Sequence, residues 1–178
     1  MSTLRIHATA ALATKLGGFT KPVPEPRPDA LILDTWYAHI VRHRRPRALL
    51  MNPATLLTVT LPLAPAKSLA DRVPGRVAAQ LMAFGAPPQF IDDHIHRLHG
   101  GAHVVRTDSK SLLGLLNQRM QVINRFRLGD DEELWEDLDI RLTEDFVLAD
   151  IPGPRYGPGR LALAFETWER TGTAAVTD

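Results

Sequence analysis

Three groups of residues in this sequence have types and spacing that can do chemistry. The first is Asp92, His96 and His99. At helical spacing they share one side of a helix, and a carboxylate with two imidazoles can form a three-ligand metal site. The pattern lacks the glutamate of a His-Glu-x-x-His zinc motif, so a solvated helix flank is the competing reading. The second is the run Arg42-His43-Arg44-Arg45-Pro46-Arg47. Guanidinium forks bind phosphate, and Trp36 and Tyr37 just before them can stack on bases. A polar hairpin tip explains the same run without a ligand.

The third group is the segment from Thr107 to Asn117 and its continuation to Asn124. On a helical wheel Leu112, Leu113, Leu116, Met120, Ile123 and Phe126 make one apolar stripe. Gly114, Asn117, Gln121 and Asn124 lie opposite, with Ser111 and Gln118 beside them. A solvated helix face normally carries charge, whereas this one carries amides around a glycine. Glycine inside a helix costs about 1 kcal/mol relative to alanine. Close approach of another backbone or a ligand is the functional reading. Coverage by another element of the fold, such as the C-terminal segment, is the alternative. Asn and Gln amides offer donors and acceptors for peptide or nucleobase recognition.

Other chemistries find little support. There is no cysteine, which excludes disulfides, thiolate nucleophiles and Cys-ligated metals. No Gly-x-Ser-x-Gly elbow occurs, although Ser111 and His103 could meet in space. Gly17-Gly18 and Gly100-Gly101 lack the Lys-Ser/Thr of a phosphate loop. The acids of Asp130–Glu136 read as a solvated helix start. No cofactor is expected.

The elements that must position these groups follow from periodicity and turn chemistry. Leu4–Ala8, Trp36–His43, Ala48–Met51, Thr55–Leu61 and His103–Arg106 read as strands, the second and third joined as a hairpin. Asn52-Pro53 is a turn signal. Alternation of Thr58 and Thr60 with Leu57, Val59 and Leu61 predicts a half-buried strand. Helices are expected over Ala10–Leu16, Ala66–Phe84, Pro88–His99, Ser109–Leu128, from Asp130 onward, and over Leu161–Arg170. The second should break at Pro74-Gly75. Thr107, Asp108 or Ser109 can cap the Ser109 helix. Leu134, Trp135, Leu138 and Leu142 form the stripe of the acidic helix. Pro22–Pro28, Pro62–Pro65, Pro87–Pro88 and Pro152–Pro158 are rigid connectors. The expected fold is a single α+β domain with a small, mainly antiparallel sheet packed by helices.

Charge is divided along the chain. Residues 1–128 hold 17 Lys and Arg against 7 Asp and Glu; residues 129–178 hold 4 against 13. A basic body facing an anionic partner is one reading. The other is that the acidic C-terminal segment, residues 130–178, folds back and neutralises it. No stretch approaches the ~18 apolar residues of a membrane helix, and no secretory leader is evident. A cytoplasmic protein without a membrane partner is expected.

In order, the Trp36-Tyr-Ala38 strand, the basic turn, Asn52-x-x-Thr55 and Thr107-Asp-x-x-Ser111-x-x-Gly114-x-x-Asn117 resemble a bacterial family described as a domain of unknown function. Its members read Trp-x-Ala, a hairpin, Asn-x-x-Thr and, much later, Thr-Asn-x-x-Ser-x-x-Gly-x-x-Asn. The resemblance covers most of residues 4–145. Asp108 stands where the family usually has Asn, and Gln118 where Asp is common. It implies no reaction, but it raises Trp36, Asn52, Thr55, Ser111, Gly114 and Asn117 as a candidate group. The leading expectation is a non-enzymatic binding or regulatory module recognising a protein or nucleic acid. The rivals are a hydrolase or nuclease acting on an anionic substrate, and a structural subunit of a homo-oligomer.

Overall fold

A computed structural model describes residues 4–20, 32–126, 128–145 and 154–171. Arg127, the whole Pro22–Pro28 connector and residues 152–153 of the Pro152–Pro158 connector lie outside them. The element order is β1 (Leu4–Ala8), α1 (Ala10–Lys15), β2 (Thr35–Val41), β3 (Arg47–Met51), β4 (Thr58–Pro62), α2 (Leu69–Ala83), α3 (Pro88–Leu98), β5 (Ala102–Arg106), α4 (Lys110–Arg125), α5 (Glu132–Glu144) and α6 (Gly157–Thr171). A 3₁₀ turn, Ala66–Ser68, leads into α2.

The five strands form one sheet in the order β4-β3-β2-β1-β5. The hairpin β2–β3 and the pair β3–β4 are antiparallel. β1 is parallel to both of its neighbours, β2 and β5. The sheet is therefore mixed, which corrects the mainly antiparallel expectation. The cause is connectivity: α1 separates β1 from β2, and such crossovers produce parallel pairs.

Both faces of the sheet are covered. Trp36 and Ala38 of β2, with Ala48 and Leu50 of β3, pack under α1, α2, α3 and α6. Tyr37, Val41, Leu49 and Met51 face the other way, under α4 and α5. Every residue of β3 is consequently buried, as strands covered on two sides must be. The same coverage overturns the half-buried reading of β4. Thr58 and Thr60 are fully buried, and α5 closes the edge of the strand. The Thr58 N–H donates to Thr143 Oγ1 at 3.0 Å, and the Thr60 N–H to Asp139 Oδ2 at 2.9 Å. At the opposite edge Thr20 takes both groups of Val104. Its N–H donates to the Val104 carbonyl, and its hydroxyl accepts from the Val104 N–H.

Three local expectations change. α2 runs unbroken through Pro74. Proline removes only its own N–H, and burial of Leu69, Val73, Val77 and Leu81 holds the helix around it. In α5, Trp135, Leu138 and Leu142 are buried but Leu134 is exposed, as is Phe126 just after α4. The α4 stripe instead buries Arg119, whose Nε donates to Thr58 Oγ1 at 2.9 Å. Ser109 is the α4 N-cap and accepts from the Leu112 N–H.

Asn52 organises the β3–β4 turn. Its Oδ1 accepts from the Ala54 and Thr55 N–H groups and the Thr55 hydroxyl, and its Nδ2 donates to Ile32 O and Thr35 O. This places Leu56 at φ +61°, an unfavourable conformation for leucine, with its side chain in the core. Asn52→Ala is expected to cost about 2–4 kcal/mol, since several buried backbone groups lose their partner. Urea denaturation measures it; a change below about 0.5 kcal/mol would show that the turn holds without the amide.

Candidate functional site

The residues singled out in the sequence separate into scaffold and surface. Trp36 is fully buried, its indole N–H donating to Leu33 O at 2.6 Å. Asn52 and Thr55 are buried in the turn beside the start of β2. These three support the fold and do not form one cluster with the α4 group. Thr107 follows the end of β5, its N–H donating to Ala8 O. Ser111, Gly114, Asn117 and Gln121 are all exposed along α4. The Ser111 hydroxyl is 3.0 Å from that of Ser109.

A Cβ placed on Gly114 would meet nothing within 4 Å. Among the described residues none packs on it from another element. Lys110, Gln118, Asn124 and Arg125 are exposed on the same helix. The open face of α4 thus carries amides, two cations and no carboxylate.

The basic run is largely taken up by α5. Arg47 is buried, forms a two-pronged pair with Glu132 at 2.7 and 2.8 Å, and lies over the Trp135 ring. Arg45 pairs with Asp130 at 3.2 Å. Arg76 of α2 pairs with Glu136 and Asp139. The acidic segment therefore neutralises the basic body, and Arg45 and Arg47 leave the set of phosphate-binding candidates. Arg42 and Arg44 are exposed and have no acidic partner among the described residues.

Arg42 sits beside the C-terminal end of α4. A cavity of about 300 Å³ opens between Arg42 and His43 of the hairpin tip and Ile123, Asn124 and Phe126. His43 is fixed against Leu128 O at 2.6 Å and packs edge-on to Trp135. The fold therefore joins two surfaces that are 80 residues apart in sequence.

Asp92, His96 and His99 line an open surface cavity together with Asp93. Among the described residues no group of three or more His, Asp or Glu stands close enough to hold a metal ion. The shared side of α3 does not become a ligand set, because no second element brings a further donor to it. The neighbouring His94 is buried, stacked on Phe90 and bonded through Nδ1 to Phe90 O.

One polar cluster has no counterpart in the sequence reading. His7 and Tyr37 are paired across β1 and β2, and their rings stack at 4.5 Å. The Tyr37 hydroxyl donates to Asp108 Oδ1 at 2.8 Å, and His7 Nδ1 lies 3.4 Å from the same oxygen. Burial pushes the Tyr37 hydroxyl up, reinforced by Asp108. Burial also lowers His7, against the pull of Asp108. The Tyr37 hydrogen bond holds Asp108 below the usual carboxylate range. The cluster stands near the ends of parallel strands, where open sheets place ligands. It presents an exposed, ionised carboxylate that can accept from an amine or amide. The sequence signal was slight: a polar ring precedes alanine in both strands, as His7-Ala8 in β1 and Tyr37-Ala38 in β2, and the strand register pairs them.

A mixed five-stranded sheet with helices on both faces and an uncovered amide-rich helix defines an α+β domain. The family model described as a domain of unknown function, DUF6933, matches residues 5–154, and the chain belongs to that family. No curated protein and no solved structure matches it. Among the described residues no helix is long and apolar enough to cross a membrane.

Two outcomes test this description. Gly114→Ala should raise stability by about 0.5–1 kcal/mol in urea unfolding, because the new methyl meets open space. A loss of stability would show that something packs there. Glu132 is held below the ordinary carboxylate range by Arg47. Its contribution is complete above that ordinary value of about 4.3 and disappears as pH falls through the lower folded value. The stability advantage of wild type over Glu132→Gln should therefore shrink between about pH 5 and 3. A pH-independent difference contradicts the pair.

Proposed function

We propose that this protein is a non-enzymatic binding module whose partner is a single-stranded nucleic acid. The observation that carries the reading is the convergence of Arg42, Asn124 and exposed Phe126 on one cavity. Arg44 and Arg125 are exposed next to them in the chain. Cations can track phosphates, an exposed ring can stack on a base, and an amide can read a base edge. The amide face of α4 extends this surface without acidic residues to repel a polyanion. The nearest acids flank it: Asp108 precedes α4, Asp131 and Glu133 are exposed at the start of α5, and Arg45 engages Asp130.

A protein partner is the second reading. It is favoured by Gly114, whose open notch between Ser111 and Asn117 would admit another backbone. The enzymatic alternative has less to draw on. Ser111 bonds to Ser109 rather than to a base, and the Asp92, His96 and His99 side of α3 lacks a converging donor.

Fluorescence anisotropy with labelled oligo(U), oligo(dT) and duplex DNA tests the proposal. Single strands should bind at low salt, with a log–log salt slope of about −2 for three phosphate contacts. Phe126→Ala should cost about 1–3 kcal/mol if one base stacks there. Absence of single-strand binding at low salt rejects the nucleic-acid reading and leaves the α4 notch as a protein-contact surface.

A further inference from the structure

A second cavity lies on the opposite face of the sheet. It encloses about 490 Å³, within the range of small-molecule sites. Its origin is local. α1 has six residues and ends at Lys15, where Gly17 and Gly18 turn the chain away at positive φ. The end of β2 is left without a helix above it, and Ile40 is only half-buried there. Ala11 on α1 forms one wall, and Leu63 and Ala66 after β4 form the other. The small side chains leave the space unfilled.

The charge at the groove has one sign. Among the described residues Lys15, Arg42 and the imidazole of His39 border it, and no carboxylate does. Lys15 and Arg42 are exposed, and neither has an acidic partner among the described residues. Their neighbours are engaged elsewhere. Arg45 pairs with Asp130 ahead of α5, Arg47 pairs with Glu132 of α5, and Arg72 donates to the carbonyls of Pro62, Pro65 and Ser68. Two unpaired cations at the mouth of an apolar groove complement a ligand with a hydrocarbon body and an anionic head. The body would displace water from Ile40 and Leu63, which is the main favourable contribution. The head would meet Lys15 and Arg42.

We propose that this groove binds a small amphiphilic carboxylate, such as a medium-chain fatty acid. The site is separate from the cavity between the hairpin tip and α4, although Arg42 borders both. The test therefore leaves Arg42 unchanged. Decanoate, decan-1-ol and decylammonium, each below its micellar concentration, are titrated calorimetrically into the full chain. Decanoate should bind saturably, about tenfold or more tighter than decylammonium. Lys15→Glu should weaken decanoate by about three- to tenfold, in keeping with a partly exposed ion pair. Ala11→Trp, at an exposed position on α1, should fill the groove and abolish binding, with circular dichroism and melting showing that the variant is folded.

Equal affinity for decanoate and decylammonium overturns the assignment, because it removes the role of charge. Decanoate binding that survives Ala11→Trp places the ligand elsewhere and overturns it as well. Self-association that is lost in Ala11→Trp, with no decanoate binding to wild type, gives the groove to a second copy of the chain. Binding of an acidic amphipathic peptide in place of decanoate gives it to a protein partner. Oligonucleotide affinity should be unchanged in Ala11→Trp, so failure here and failure of the nucleic-acid reading are separable.

Discussion

The structure turns on a single carboxylate. Asp139 Oδ2 accepts from the Thr60 N–H and from Nε and Nη2 of Arg76. α2 and α5 lie on opposite faces of the sheet, and they meet around the β4 edge at this point. The helix layers are joined through charge as well as through the apolar core. Burial pushes the Asp139 carboxyl up to about 7, against the pull of Arg76. A buried acid in that position is costly alone, and its guanidinium partner would be costly alone as well. Removing Arg76 strands the buried Asp139, and removing Asp139 leaves Arg76 with Glu136 as its acidic partner at the surface, so the two residues act as one structural unit.

That unit also explains the charge distribution. The excess of cations in the first 128 residues and of acids beyond them is in part an internal pairing, written along the chain as Arg45 with Asp130, Arg47 with Glu132, and Arg76 with Glu136 and Asp139. Among the described residues Lys15, Arg42, Arg44, Lys110 and Arg125 are exposed cations without an acidic partner, and Arg42 and Arg125 lie at the hairpin tip and the adjoining end of α4. The net charge alone would have hidden them.

Much of the element pattern was legible. β1, the β2–β3 hairpin, α3, the Ser109 cap and the six helices follow from periodicity and turn chemistry. Parallel pairing of β1 was less legible, because it depends on which strands the helices separate. Continuity through Pro74 depends on core burial that no local rule weighs. The Asn52 and Thr55 motif looked like a binding pattern because buried polar residues that satisfy a turn have the same composition as residues that meet a ligand. Conversely, the grouping of His7, Tyr37 and Asp108 is invisible in sequence, because strand register brings the first two together and the Tyr37 hydroxyl reaches Asp108 across 71 residues. The position of Gly114 opposite the leucine stripe was legible, whereas whether another element covers it could come only from coordinates.

The treatment of the outer strands has a further consequence. α5 side chains occupy outward N–H groups of β4, and Thr20 occupies both groups of Val104 on β5. Exposed sheet margins are templates on which other chains polymerise. Here the main-chain positions that could recruit an incoming strand at those residues are already occupied from within the molecule. Association by sheet extension is blocked there. Partners must instead engage side chains on helices and turns, where recognition depends on residue identity rather than on main-chain pairing.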